Sequence, residues 1–317
     1  MTDIKQVLIA ETDKKVRLDT YLADNLDGWT RSQIKKQIDE DRVLVNSKPV
    51  KAGFNLTNGD IISLDLIASV DLDNVEPEDI PLDVVYEDDD VLVVNKPQGM
   101  VVHPAPGSPN HTLVNALLYR SKNLSKVGEA FRPGIVHRID KMTCGLIVVA
   151  KNNEAHFDLA KQIATHDCAR TYVALCDGQF RELSGTIIKP IGRSKTDYKK
   201  MTIDEGGKYA ETHYKVLALF DKYSLVEFNL KTGRTHQIRV HAKSIGHPIV
   251  CDTVYGKAKP DFDLPGQFLC AVKIRFKHPS TKQDMEFSCK IPDNFKKIIK
   301  KLKPTWTENV DTLSNFE

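Results

Sequence analysis

From residue 17 the apolar positions Leu18, Tyr21, Leu22 and Leu26 recur at three- and four-residue intervals, the spacing of one helical face. A second helix follows, capped by Thr30 and carrying Ile34 and Ile38. Residues 1–15 read as an edge strand with a charged lead-in, and short strands are expected at 42–46 and 60–67. Residues 71–83 are acidic, hold Pro77 and Pro81 and lack periodicity, so they read as a linker with a domain boundary near residue 76. A hairpin is expected over 82–86 and 91–95, then a short helix over 112–120 capped by Thr112, then a Ser/Gly/Lys/Pro loop over 121–133.

The continuous apolar run at 146–150 follows a glycine and reads as a buried strand. Residues 153–166 are helical in pattern, with Phe157, Leu159, Ala160 and Ile163 expected to be partly buried. Strands are expected at 171–175, 186–190, 210–219, 224–230, 268–277 and 284–290, and a lysine-rich helix at 293–303. Many strands and few helices in irregular alternation predict an α+β fold on a mostly antiparallel mixed sheet. The expected organisation is a small domain over 1–76, a larger one over 77–303 and a disordered tail over 304–317. No internal repeat is visible.

Composition adds little until charge is placed along the chain. The formal net charge of the 317 residues is only +2. Residues 52–95, however, hold twelve acidic residues and no Lys or Arg, which leaves 45 basic and 31 acidic residues elsewhere. A basic body with a segregated acidic strip suits a polyanionic partner, because phosphate neutralisation supplies most non-specific affinity. Six cysteines without a C-x-x-C pair argue against a structural zinc site and a disulfide framework. No apolar run approaches the ~20 residues of a membrane span, and the first residues lack the apolar core of a signal peptide. A cytoplasmic location, no membrane association and a monomeric state are the expectations.

The chemistry concentrates in three segments. The first is Val93-Val94-Asn95-Lys96-Pro97-Gln98-Gly99-Met100-Val101-Val102-His103-Pro104. The second sets His137, Arg138, Asp140 and Lys141 within five positions, just before the buried strand, where a rigid scaffold can present reactive groups. The third runs from Lys231 through Arg234, His236, Gln237 and Arg239 to His241, with His247-Pro248 and residues 252–256 beyond it. In order and spacing these resemble the motifs of the RluA-type pseudouridine synthases, over roughly residues 15–300. The helix–helix–strand order at the N-terminus resembles the S4 RNA-binding domain, although Asp41 and Ser47 stand where glycines are usual and put two positive-φ turns in question.

That resemblance implies an isomerase acting on RNA, and the form of the first motif is similar to members acting on large-subunit ribosomal RNA. It implies Asp140 as the single essential carboxylate and Tyr172, in an R-x-Y strand, as a residue lying over the target base. Arg138 would occupy the space the flipped base leaves, and His137 would support the site by hydrogen bonding. Arg31, Lys35 and Lys36, near one face of the second helix, are expected to contact RNA. The reaction detaches uracil from the ribose C1′, rotates it and rejoins it through C5, without loss of atoms or redox change, so no cofactor and no metal are implied. Whether the aspartate attacks C1′, attacks C6 or removes a proton from C2′ is left open.

A lone carboxylate in an apolar site tends to become protonated, and a nearby fixed cation opposes this. Arg234 is the expected partner, with Arg239 second. Counting the helix from Thr235 puts Arg234, Gln237, Ile238 and His241 toward the site, and His236, Arg239 and Lys243 toward the RNA backbone. A metal site on His236, His241 and His247 is disfavoured. The first two diverge by about 140° around a helix, whereas helical metal sites use i, i+4 pairs. The remaining alternative is a non-catalytic ribosomal-RNA-binding or assembly factor that keeps the fold. The presence of Asp140 and its partners argues against it.

Overall fold

The computed structural model describes residues 4–26, 29, 31–66, 75–105, 107–121, 124–125, 127, 132–197 and 200–308. It divides into Met1–Val75 with Pro104–Asn110, and Glu76–His103 with His111–Glu317.

In the first unit the elements are β1 (Ile4–Ile9), β2 (Val16–Arg17), α1 (Leu18–Asn25), α2 (Arg31–Asp39), β3 (Val43–Val45), β4 (Lys48–Pro49), β5 (Asn55–Leu56) and β6 (Ile61–Leu66). The helices bury the apolar stripe read from the sequence: Leu18, Leu22, Leu26, Ile34 and Ile38 join Val43, Val45, Ile62 and Leu64 in one core. Strand order is β1-β6-β3-β4. The turns in question keep the glycine-like geometry with other residues in place, Asp41 at φ 55° and Ser47 at φ 63°. Thr30 and the first residues of the acidic linker, 71–74, lie outside the described residues.

The second unit is built on one ten-stranded sheet. Its elements are β7 (Asp83–Glu87), β8 (Val91–Lys96), α3 (Leu113–Arg120), β9 (Cys144–Ala150), α4 (Asn153–Ala164), β10 (Ala169–Asp177), β11 (Ser184–Ile188), β12 (Ile191–Arg193), β13 (Met201–Ile203), β14 (Glu211–Phe220), β15 (Tyr223–Leu230), α5 (Gln237–Ser244), β16 (Leu269–Lys277), β17 (Asp284–Ser288), α6 (Asp293–Ile299) and β18 (Pro304–Thr307). The order is β11-β14-β15-β10-β16-β9-β8-β7, with β17 beside β16 and β18 beside β14. Only β9 and β16 pair in parallel; the other pairings are antiparallel, so the sheet is mixed as expected. Every residue of β9 is buried, which is why its sequence is an unbroken apolar run.

Register brings the chemistry together. Gly145 pairs with Ala271, Ala271 with Tyr172, and Tyr172 with Phe228, so the start of β9 and the start of β10 share one row across the sheet. Gly145, at φ +111°, permits this: a Cβ there would meet the Ala271 carbonyl oxygen at 2.2 Å.

Three expectations are corrected. The tail is ordered through its first residues: β18 pairs with β14, and Glu308 forms an ion pair with Lys215. Residues 309–317 lie outside the described set. Phe157 is 63% exposed, whereas Leu159 is buried and Ile163 partly buried. The lysine-rich helix stops at Ile299. No helix among the described residues is long and apolar enough to cross a membrane.

Candidate active site

Asp140 sits at the end of an irregular segment, four residues before β9. Its carbonyl accepts the Thr143 N–H at 3.0 Å, turning the chain into the strand. The carboxylate is partly exposed and is met by Arg239: Nη1 donates to Asp140 Oδ2 at 2.9 Å. The same guanidinium donates from Nε and Nη2 to Asp252 at 2.6 and 2.8 Å, a bidentate fork. Asp252 is held in turn by the N–H groups of Val254 and Tyr255, at 2.9 and 3.0 Å. Burial works against the Asp252 charge, yet the Arg239 contacts prevail and its carboxyl lies below the ordinary range. Cys251 beside it takes φ 59°, a left-handed conformation that favours glycine.

The expected partner of Asp140 is therefore corrected from Arg234 to Arg239. Arg234 lies before α5, is exposed, and donates from Nε to the Tyr209 carbonyl at 2.9 Å. The expected facing of the helix holds only in part: Gln237 and Ile238 line the cleft as expected, but so do His236 and Arg239, which were expected on the RNA side. Gln237 and His241 serve as anchors. Gln237 accepts from Thr232 Oγ1 and the Arg234 N–H and donates to the Glu211 carbonyl and Thr212 Oγ1. His241 contacts Thr212 and the Lys189 carbonyl.

His236 enters α5 through a left-handed turn, φ 57°, rare for a side-chain-bearing residue. Its Nδ1 lies 2.8 Å from the Tyr255 hydroxyl, which accepts the Met201 N–H at 2.8 Å. With Tyr255 donating to Nδ1, the ring proton falls on Nε2, 3.9 Å from Asp140 Oδ2; the opposite tautomer would set a lone pair against a carboxylate. Burial depresses the imidazole's basicity, against the pull of Asp140.

Tyr172 and Leu269 form an apolar wall of the cleft that Asp140 and Arg239 also line. Burial pushes the Tyr172 phenol up to about 12, so it is protonated at neutral pH. Lys96, whose position in its motif did not reveal its role, is fully buried and donates to the carbonyls of Pro97 and Met100 at 2.8 Å and of Lys141 at 3.2 Å. It thereby ties the first motif to the residue beside Asp140. Burial pulls its ammonium down to about 8. Asp252, Tyr255 and Lys96 are the supporting residues that sequence reasoning did not assign; all three fell inside segments already marked, which was the available signal.

Arg138 lines the same cleft and approaches His103 Nε2 at 3.2 Å. His137 is buried, and its Nε2 accepts the Val148 N–H at 3.1 Å, which places it in the support of β9. Arg31 is tied to Asp19 at 3.0 Å; Arg17, then Arg31, draws the Asp19 carboxyl down to about 2. Lys35 and Lys36 are exposed. Among the described residues no group of three His, Cys, Asp or Glu could hold a metal ion.

With this geometry in place, comparison with known proteins is direct. Residues 90–244 match the family described as RNA pseudouridylate synthase, and residues 16–62 match the S4 domain. The chain is 44% identical over 297 residues to an uncharacterized RNA pseudouridine synthase, YlyB, of Bacillus subtilis, covering 94% of this chain and 97% of that one. It is 41% identical over 311 residues to ribosomal large subunit pseudouridine synthase D of Zymomonas mobilis, covering 94% and 97%. Among solved structures, human RNA pseudouridylate synthase domain containing 1 superposes with a TM-score of 0.59 at 29% identity, over 74% of this chain and 93% of that one.

Proposed function

The chain belongs to the RNA pseudouridylate synthase family, isomerases that convert uridine in RNA to pseudouridine; on that premise we propose that its substrate is large-subunit ribosomal RNA and that Asp140 is the catalytic carboxylate. The observation that carries the site assignment is the Arg239–Asp140 contact of 2.9 Å at a cleft with an apolar wall. An anionic carboxylate can act as nucleophile or base at a sugar. A guanidinium in contact favours that anionic form and fixes its position. Tyr172 packs against the uracil, and its protonated phenol offers a hydrogen bond to the detached base. Arg138 occupies the gap in the RNA stack. Arg234, displaced from the role first expected of it, contacts the backbone together with His236 at the cleft's edge.

The ribosomal assignment is supported by similarity to proteins named ribosomal large subunit pseudouridine synthase D. A uridine in folded RNA must be extruded before a carboxylate reaches its sugar, and this is least costly in loops and weakly paired stems. A stem-loop uridine, read in free RNA or in a pre-ribosomal particle, fits that requirement. Lys35 and Lys36 supply distant phosphate contacts, whereas Arg31 does so with part of its charge spent on Asp19. A monomer acting in the cytoplasm accords with this substrate and with six free cysteines.

The test is tritium release from C5-tritiated transcripts of the two ribosomal RNAs, followed by mapping of the modified positions. The expected result is release from the large-subunit transcript, with Lys35→Glu/Lys36→Glu weakening binding and reducing its salt dependence. Release from other RNAs alone would reject the ribosomal assignment.

A further inference from the structure

Arg170 lies on β10 two residues before Tyr172 and is 6% exposed. Its side chain lines the catalytic cleft and also a cavity of about 520 Å³ beside it. Among the described residues it makes no hydrogen bond and no ion pair, and its Nε is buried without a partner. Arg132, Arg138 and Arg234 line the same cavity with His103, His137 and His166, and among the described residues no Asp or Glu contributes to that lining. Burying a guanidinium removes it from water, and only a counter-charge with hydrogen-bond acceptors recovers the loss. Among the described residues none is supplied to Arg170.

We infer that Arg170 is the receptor for a phosphate flanking the target uridine, with Arg234 closing round the same group. Both of those arginines line the cleft and the cavity alike, so an anion seated between them lies next to the sugar that Asp140 must reach. A phosphodiester oxygen pair matches the guanidinium fork, and RNA delivers one such anion at every linkage. Gly233 keeps the neighbouring backbone close: a Cβ there would sit 3.0 Å from Arg170 Nη1. The inference rests on RNA being the substrate, and not on which RNA it is.

The experiment is a cycle between protein and phosphate, using the full chain. Short RNAs with one target uridine carry a neutral methylphosphonate at the linkage 5′ or 3′ of it, and Kd, KM and kcat are measured for wild type, Arg170→Met and Arg170→Lys. At one linkage the neutral group should weaken wild-type binding by about tenfold and Arg170→Met binding by less than about twofold, with Arg170→Lys between them. A structural role would lower thermal stability without linkage-specific coupling, so equal losses in wild type and Arg170→Met at both linkages overturn the inference. If Arg170→Met does not fold, Arg170→Lys, which keeps the charge without the guanidinium fork, must show the reduced linkage effect; an undiminished effect overturns the inference equally. Because the coupling is read in Kd, it is decided even if turnover is absent, an outcome that would count against the catalytic reading instead.

Discussion

Two buried arginines line one cleft, and their surroundings differ. Arg239, on α5, meets Asp252 through two hydrogen bonds and Asp140 through a third. Arg170, on β10, meets no carboxylate among the described residues. The first side is saturated before any substrate arrives, and with two carboxylates to one guanidinium it carries a net negative charge. The second carries a positive charge that the described residues leave open. A closed ion cluster fixes geometry, whereas an open one marks where a ligand's charge belongs. On the reading proposed above, the reacting group belongs to the closed side and the substrate's anion to the open side, so a substitution on each should read out differently.

The largest effect is expected where the closed side meets the chemistry. Asp140→Asn keeps size and removes the anion, so turnover should fall by at least about 10⁴-fold, with RNA affinity within about threefold of wild type. Turnover within about tenfold of wild type would reject Asp140 as the reacting group. Next, Arg239→Met should cost about 10³-fold in kcat, the kinetic equivalent of about 4 kcal/mol, since it leaves two carboxylates without their cation. Arg234→Met should instead raise KM and leave kcat within about threefold. Reversal of those two outcomes would return the carboxylate's partner to Arg234 and dissolve the contrast between the two sides.

Asp252→Asn tests the closure itself. It removes a fully buried charge but leaves Asp140 on Arg239, so the loss should fall near the lower end of the range for a broken buried pair, about 3 kcal/mol in urea denaturation. Stability within about 1 kcal/mol of wild type would show that the fork to Asp252 is not what holds Arg239.

How much of this was legible follows from which physics writes itself into sequence. β9 was legible because burial on both faces forces an apolar run, and α1 and α2 because one apolar stripe recurs at helical spacing. The place of Asp140, in a polar cluster just before that run, was legible, but the role expected of it came from the resemblance and not from the pattern. Arg239 was not legible, because periodicity relates residues on a helix to one another without saying which side meets the sheet. Gln237 and His241 are polar and buried for backbone anchoring, which in sequence looks the same as lining a site. Arg234 precedes the helix altogether, beyond a left-handed turn at His236 that no residue type advertises. Asp252 closes the cluster from a loop 13 positions away. β18 escaped notice because four residues docking on the edge of β14 are too few for a period.

The smallest effect is the most specific to the open side. His137 shares the cavity with Arg170, and burial first, then the charge of Arg170, push its imidazole from 6.5 down to about 3. Its folded value lies below its unfolded one. The stability it contributes is therefore complete above about pH 6.5 and is lost as the pH falls from there toward 3. Arg170→Met removes the smaller of the two causes. His137 should then titrate at a higher pH, still well below 6.5 because burial persists, and acid unfolding of the variant should be shallower across that window. Phosphate-bearing RNA bound to wild type should move His137 in the same direction by neutralising Arg170, and RNA with the neutral linkage should not. Imidazole NMR across the acid range reads all three states. A His137 titration unmoved by Arg170→Met would show that the guanidinium's charge is already compensated within the protein, and the two sides of the cleft would then be alike.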